Sequence, residues 1–146
     1  MEINKISSLT SNENSSDLTV SILSGVVIIE EGKVLLTKDN KDDFWKLPGG
    51  KINDSENLIQ AAKREALEET GKRVKILNKS PVFYTINKEN FIAILIHYFA
   101  QFIDDKKLNP IDKKVLEAKM FSLKDLPTDL GINVLPVLYK SGILTN

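Results

Sequence analysis

The chain contains no cysteine. That absence removes disulfides, thiol nucleophiles and cysteine-based zinc sites together. A single histidine, His97, is present, so a histidine-cluster metal site and any scheme needing two imidazoles are excluded too. Neither sign of charge is in excess: Lys plus Arg and Asp plus Glu each number 20, and the pI is about 6.6. Without a dominant basic patch, a nucleic-acid polymer is not expected as the main partner. No basic-then-apolar leader opens the sequence and no apolar run reaches membrane-spanning length. The expectation is therefore a cytoplasmic protein with no membrane partner, as a monomer or homodimer. At 146 residues, the length favours one domain burying somewhat under ~70% of its extended surface.

What is present is concentrated in Gly50 to Lys72, GKINDSENLIQAAKREALEETGK. Laid on a helix at ~100° per residue, Glu65, Glu68 and Glu69 fall within an arc of about 100°. Ile59, Ala62 and Ala66 form a separate apolar stripe for packing. Like charges at these spacings oppose a helix by a few tenths of a kcal/mol per pair. A surface helix gains nothing from three crowded carboxylates unless a cation sits among them. Hard ions such as Mg²⁺ take oxygen ligands, typically one or two carboxylates plus substrate phosphates. The acidic face therefore suits a metal site that receives a phosphate ester. Ahead of it, Leu47-Pro48-Gly49-Gly50 is a strand end entering a rigid, then permissive, backbone. Two residues without Cβ leave a ligand or metal free to approach a main-chain carbonyl. Asn53, Asp54 and Ser55 are candidate caps, placing the helix start near Glu56, and Gly71 is the expected C′ stop.

Along the rest of the chain, Met1 to Asp17 is rich in Asn, Ser and Glu and is expected to be a mobile lead-in. Leu18 to Ile29 suits a buried strand interrupted at Gly25, followed by a hairpin turn into Lys33 to Lys38. Arg73 to Leu77, Pro81 to Ile86, Phe91 to Ile103 and a short Met120 to Leu123 read as further strands. Between the last two, Asp104 to Lys114 is a charged loop. Lys124 to Pro127 reads as a helical turn, and Ile132 to Ile143 as a final amphipathic helix. His97 is expected as a satisfied side chain in or beside the sheet. The order of elements predicts α/β architecture, a central mixed sheet sandwiched between helices.

The skeleton Gly50, Glu56, Arg64, Glu65, Glu68, Glu69 and Gly71 resembles the Nudix box of the Nudix hydrolase family, with all seven fixed positions matched. Lys72 stands where that family usually has an aliphatic residue. The resemblance implies a Nudix-like α/β/α sandwich over 18–146 and a metal-dependent hydrolase. Such an enzyme attacks, with water, a phosphoanhydride in a nucleoside diphosphate-linked substrate. It implies Mg²⁺ (or Mn²⁺) as cofactor and a small-molecule nucleotide as partner. Among the implied ligands are Glu68 and Glu69, the Gly49 carbonyl, and Glu65, which is either a further ligand or the general base. It also implies that Arg64 and Glu56 orient these acids. A ligand or base from outside the box is expected at Glu117, ahead of Glu89 and Asp104. Gly50, Trp45, Phe83 and Tyr84 are candidates for contact with substrate, the aromatics as a stacking wall. Some branches carry a marker proline or tyrosine about fifteen residues beyond the box. Here that stretch reads Asn87-Lys88-Glu89-Asn90. This favours a nucleoside triphosphate or related nucleotide over ADP-ribose or a dinucleoside polyphosphate. A non-catalytic nucleotide-binding or regulatory module on the same fold is the alternative.

Overall fold

Strand β1, Thr19–Glu30, is the axis of the molecule. Its sequence TVSILSGVVIIE is rich in β-branched residues, which pack well on a pleated surface. In this computed structural model residues 17–145 are described, so the expected mobile segment lies, Asp17 apart, outside the described residues. Along one edge β1 pairs in parallel with β6, Phe91–Phe102, from Thr19↔Phe91 to Ile28↔Ala100. Its other edge is divided. The middle, Leu23 to Gly25, pairs antiparallel with β3, Gly49–Lys51. The end, Ile29 and Glu30, pairs antiparallel with β2, Lys33–Asp39. The sheet thus splits between β2 and β3, and the glycine turn occupies the split. The β1–β2 turn has Glu31 at φ 50° and Gly32 at φ 74°, the left-handed pair that suits a tight hairpin. The sheet is completed by β7, Val115–Ser122, on β2. On the outer edge of β6 lie β4, Val74–Ile76, and β5, Val82–Lys88. It is a seven-stranded mixed sheet.

Contrary to expectation, β1 is not interrupted at Gly25. The strand runs through, and a Cβ there would collide with the Pro48 carbonyl oxygen, which accepts from the Val26 N–H at 3.0 Å. The glycine admits a crossing backbone rather than breaking the strand.

Helix α1, Leu58–Thr70, covers one face of the sheet. Its Ala62 and Ala66 pack on Ile22, Val26, Ile28, Leu35, Ile96 and Tyr98. Helix α2, Val134–Lys140, covers the other, where Val134, Val137 and Leu138 meet Val27, Val34, Leu36 and Leu47. These make the expected α/β/α layers. Each fully buried aliphatic side chain contributes roughly 1.5–3 kcal/mol. Among the described residues no helix is long and apolar enough to cross a membrane.

Four boundaries differ from the sequence expectation. The cap of α1 is Asn57, not Asn53, Asp54 or Ser55. The Asn57 side chain accepts from the Gln60 N–H at 2.8 Å, and Gln60 Oε1 accepts from the Asn57 N–H at 2.9 Å, a reciprocal capping box. Gly71 ends the helix at φ 73°, as expected. Strand β7 begins five residues early because its pairing with β2 continues to Asp39↔Val115. Helix α2 is shorter, with Pro136 in its first turn where a missing N–H does no harm. Lys124 to Pro127 form no helix; the turn there spans Ser122 to Asp125, closed by the Asp125 N–H on the Ser122 carbonyl.

Candidate active site

The glycine turn and the acidic face of α1 meet at the split in the sheet. Glu69 is 5% exposed. Its Oε1 accepts from the Gly49 N–H at 3.3 Å and the Thr37 hydroxyl at 3.4 Å. Glu65, one helical turn earlier, hydrogen-bonds Glu69 through its side chain. It also lies under Gly50, where an added Cβ would come within 2.6 Å of its Oε1. Burial pushes the Glu69 carboxyl far above the usual carboxylate range. The hydrogen bond and charge of Glu65 push it further, and the Gly49 N–H and Lys46 only partly offset this. A buried carboxyl raised this far keeps its proton at neutral pH, and a hard cation can take that proton's place.

Arg64 organises the outer rim. Its guanidinium grips Glu56 through Nε at 2.6 Å and Nη2 at 2.9 Å, and Nη2 also donates to the Lys51 carbonyl at 3.0 Å. Nη1 donates to Glu65 and Glu68, each at 3.0 Å. The planar fork suits this bidentate grip, as a lysine would not. Behind it, the 104–114 loop is more than solvated charge. Its Asn109 N–H donates to the Thr70 carbonyl, and the Ile111 and Asp112 N–H groups donate to that of Glu68. Carbonyls at the helix end are thereby satisfied.

The donor set fits a hard divalent ion. Glu65, Glu68, Glu69 and the Gly49 carbonyl are all oxygen donors, the kind Mg²⁺ and Mn²⁺ prefer. Among the described residues no three acidic side chains converge closely enough to hold a metal ion, and Arg64 holds Glu65 and Glu68 from the side. A cation there needs Arg64 to share those two carboxylates.

The remaining expected residues lie elsewhere. Glu117 is exposed on β7, paired with Lys38. Its neighbours Ala118 and Met120 pack on the α1 face, whereas Phe121 packs on the α2 face. Strand alternation therefore turns Glu117 away from Glu65 and Glu69. Asp104 accepts from the Arg73 and Lys106 N–H groups, and Glu89 is exposed in the β5–β6 hairpin. Phe83 and Tyr84 do not form one wall: Tyr84 packs on the α2-face core, while Phe83 is 47% exposed on the other side of β5. Trp45 belongs to that same core, edge-on to Phe121 at 4.7 Å. Lys72 replaces an aliphatic contact by placing its Nζ 4.1 Å from the centre of the Phe102 ring.

His97 corrects the expectation of a satisfied side chain. It is 4% exposed, and its Nδ1 has no hydrogen-bond partner. Burial lowers its pKa to about 4, so the ring is neutral at physiological pH. Sequence reasoning also missed Thr37, Lys46 and Asn133. Lys46 contacts Asp39 at 2.6 Å and Asp42 at 3.4 Å. Burial pulls its ammonium down, but Asp39, Asp42 and Glu69 together raise it. A lone polar residue inside an apolar strand, as Thr37 is in β2, was the only signal available.

A family model described as NUDIX domain matches residues 22–139. A putative 8-oxo-dGTP diphosphatase, YtkD, of Bacillus subtilis is 36% identical over 108 residues, 70% of this chain and 61% of that protein. An RNA pyrophosphohydrolase of a Wolbachia species is 42% identical over 53 residues, 34% of this chain and 33% of that protein. The chain thus spans less than two thirds of the curated relatives it matches. In structure it resembles a NUDIX hydrolase from Nitrosomonas europaea, with TM-score 0.73 and 20% identity over 88% of this chain and 97% of that one.

Proposed function

The chain belongs to the NUDIX domain family, and on that premise we propose that it is a metal-dependent pyrophosphohydrolase of nucleoside triphosphates. The observation that carries the reading is the meeting of Glu65 and Glu69 beneath Gly49 and Gly50. A divalent cation held by Glu65, Glu68, Glu69 and the Gly49 carbonyl would lower the pKa of an attacking water and offset phosphate charge.

The chain's own residues supply positioning. Glu69 is fixed by Thr37 and the Gly49 N–H, so its carboxyl cannot swing away from the turn. Glu65 is wedged under Gly50 and is either a further ligand or the group that takes the water's proton. Arg64 is a positioning residue, anchored on Glu56 and steering Glu65 and Glu68. Gly49 and Gly50, lacking side chains, let phosphate oxygens come close to the acids.

Similarity to the putative 8-oxo-dGTP diphosphatase of Bacillus subtilis supports a purine nucleoside triphosphate as substrate. The test is product release in Mg²⁺ from a panel of nucleoside triphosphates, 8-oxo-dGTP, ADP-ribose, a dinucleoside polyphosphate and 5′-triphosphorylated RNA. Monophosphate and pyrophosphate from the triphosphates, abolished by chelator, is the expected result. Binding without turnover of any of them would make the chain a nucleotide-binding module instead. Preference for the RNA or for ADP-ribose would overturn the substrate class.

A further inference from the structure

Helix α1 covers its face of the sheet over β1 and β6 but stops short of β5. On the opposite face Val82 and Tyr84 of β5 pack into the α2 core, and Lys140 of α2 donates to the Phe83 carbonyl at 2.9 Å. Phe83 and Thr85 lie on the α1 face, because they pair with Ile96 and Ile94, which both belong to the α1-side core. Neither joins that core, and both are exposed. Between them and α1 runs a groove. One cavity in it, of about 400 Å³, is lined by Asn57, Leu58, Ile59 and Tyr98. A second, of about 250 Å³, has Lys63, Leu67, Arg73, Val74 and Ile103 in its walls. Ile59, Lys63 and Leu67 follow one another at i, i+4 spacing, so both cavities lie along one flank of the helix. A phenylalanine left in water beside such a groove marks apolar surface that awaits a cover.

The chain enters the sheet at the mouth of this groove. The Thr19 N–H donates to the Asn90 carbonyl at 2.9 Å, which fixes the start of β1 beside the β5–β6 hairpin. Val20 and Ile22 pack on the α1-side core, so alternation puts Leu18 on that face too. At ~3.3 Å per residue, the level of Ile94 is about 10 Å from the Thr19–Phe91 pair and that of Tyr98 about 23 Å. Residues 1–16 precede Asp17, and an extended chain of that length reaches about 50 Å. Asn12, Asn14, Ser15 and Ser16 are turn formers, while Ile3, Ile6 and Leu9 recur at every third position among polar residues. Lys63 and Arg73, in the farther cavity, form no ion pair among the described residues, and Glu2 lies at the far end of the apolar series. We propose that residues 3–9 of this chain occupy the groove, with Ile3, Ile6 and Leu9 against Phe83, Ile59 and Tyr98 and Glu2 toward Lys63. A tether that starts at the groove's mouth gives the segment an effective concentration in the ~mM range, ahead of a second copy in dilute solution. The flank it covers lies away from Glu65 and Glu69, so the inference stands independently of the hydrolase reading.

The chain has no cysteine, so paired substitutions report proximity without background. Ile6→Cys combined with Phe83→Cys should give a disulfide-linked monomer on mild oxidation. The control combines Ile6→Cys with Lys88→Cys, which is nearer the start of β1 but on the α2 face of the same strand. Its yield should be at least about 5-fold lower, since a disulfide needs its two Cβ atoms close together. Equal yields, or none from the first pair, overturn the proposal. Covalent dimers in place of the linked monomer overturn it too, and give the groove to a second copy. Thr85→Cys, on the same face as Phe83, takes its place should Phe83→Cys fail to fold. Independently, serine at positions 3, 6 and 9 together should lower the melting temperature by roughly 5 °C. An unchanged melting temperature overturns the proposal as well.

Discussion

The two sides of the glycine turn are built on opposite principles. On the α1 side, four glutamates and one arginine are gathered around α1, with Glu69 buried and at odds with Glu65. On the α2 side the turn rests on close apolar packing, with Leu47, Trp45 and Phe121 around Val27 and Val134, into which His97, Asn133 and Lys46 bring polar groups. The first side keeps charges where burial and mutual repulsion penalise them. The second secures the position of the turn by packing, with His97 and Asn133 buried within it. Substitutions on the α1 side should therefore change rate with little loss of stability. Those on the α2 side should change stability.

The largest expected effect breaks the α1 side. Glu69→Gln keeps shape and removes a buried carboxylate, so steady-state turnover should fall by about 10²-fold or more. Its metal-free melting temperature should stay level or rise, because the conflict with Glu65 is relieved. Turnover near that of the unmodified protein would take Glu69 out of the site.

Next comes a contrast between two glycines. Gly25→Ala drives a Cβ into the Pro48 carbonyl, and backbone on both sides must shift. It should cost about 3 kcal/mol, lowering the melting temperature by roughly 10 °C. Gly50→Ala meets only the far end of the Glu65 side chain. It should cost under ~1 kcal/mol while lowering turnover about 10-fold, since Glu65 must move. Equal losses of stability in the two variants would contradict the division between the sides.

A pH effect sharpens the α2 side. The unfolded chain takes up a proton on His97 near pH 6.5, whereas the folded chain resists until about 4. The proton thus favours unfolding across that window, and stability is lost as pH falls. At full extent the loss is about 3 kcal/mol. Urea unfolding at pH 7 and at pH 4.5 should show it, and His97→Leu should flatten the difference.

The smallest effect is expected from Glu117→Gln. Its carboxylate is turned from the cluster by strand alternation, so turnover should change less than about 2-fold. A loss of about 10-fold would return it to the site.

The box was legible because its chemistry is local: one helix and the turn before it carry the acids, the fork and the glycines. The cap at Asn57 was legible in principle, since Asn57 and Gln60 have capping-box spacing, but three better-placed polar residues drew the start forward. Glu117 could not be placed from the sequence, because strand VLEAKMFS has weak alternation and its face depends on the register with β2. Nor was the divided edge of β1 legible. It arises from two non-local pairings, and with it went the roles of Gly25, Thr37, Lys46 and Asn133. His97 was misjudged because satisfaction of a buried group depends on which neighbours the fold brings within hydrogen-bond reach, and sequence spacing carries no such information.

The central claim, that Glu65 and Glu69 under the glycine turn hold a divalent cation, is tested most directly by Mn²⁺ binding without nucleotide. Calorimetric titration should find saturable binding in the unmodified protein, weakened at least about 10-fold in Glu69→Gln and unaltered in Glu117→Gln. Equal Mn²⁺ affinity in the unmodified protein and Glu69→Gln would contradict the claim.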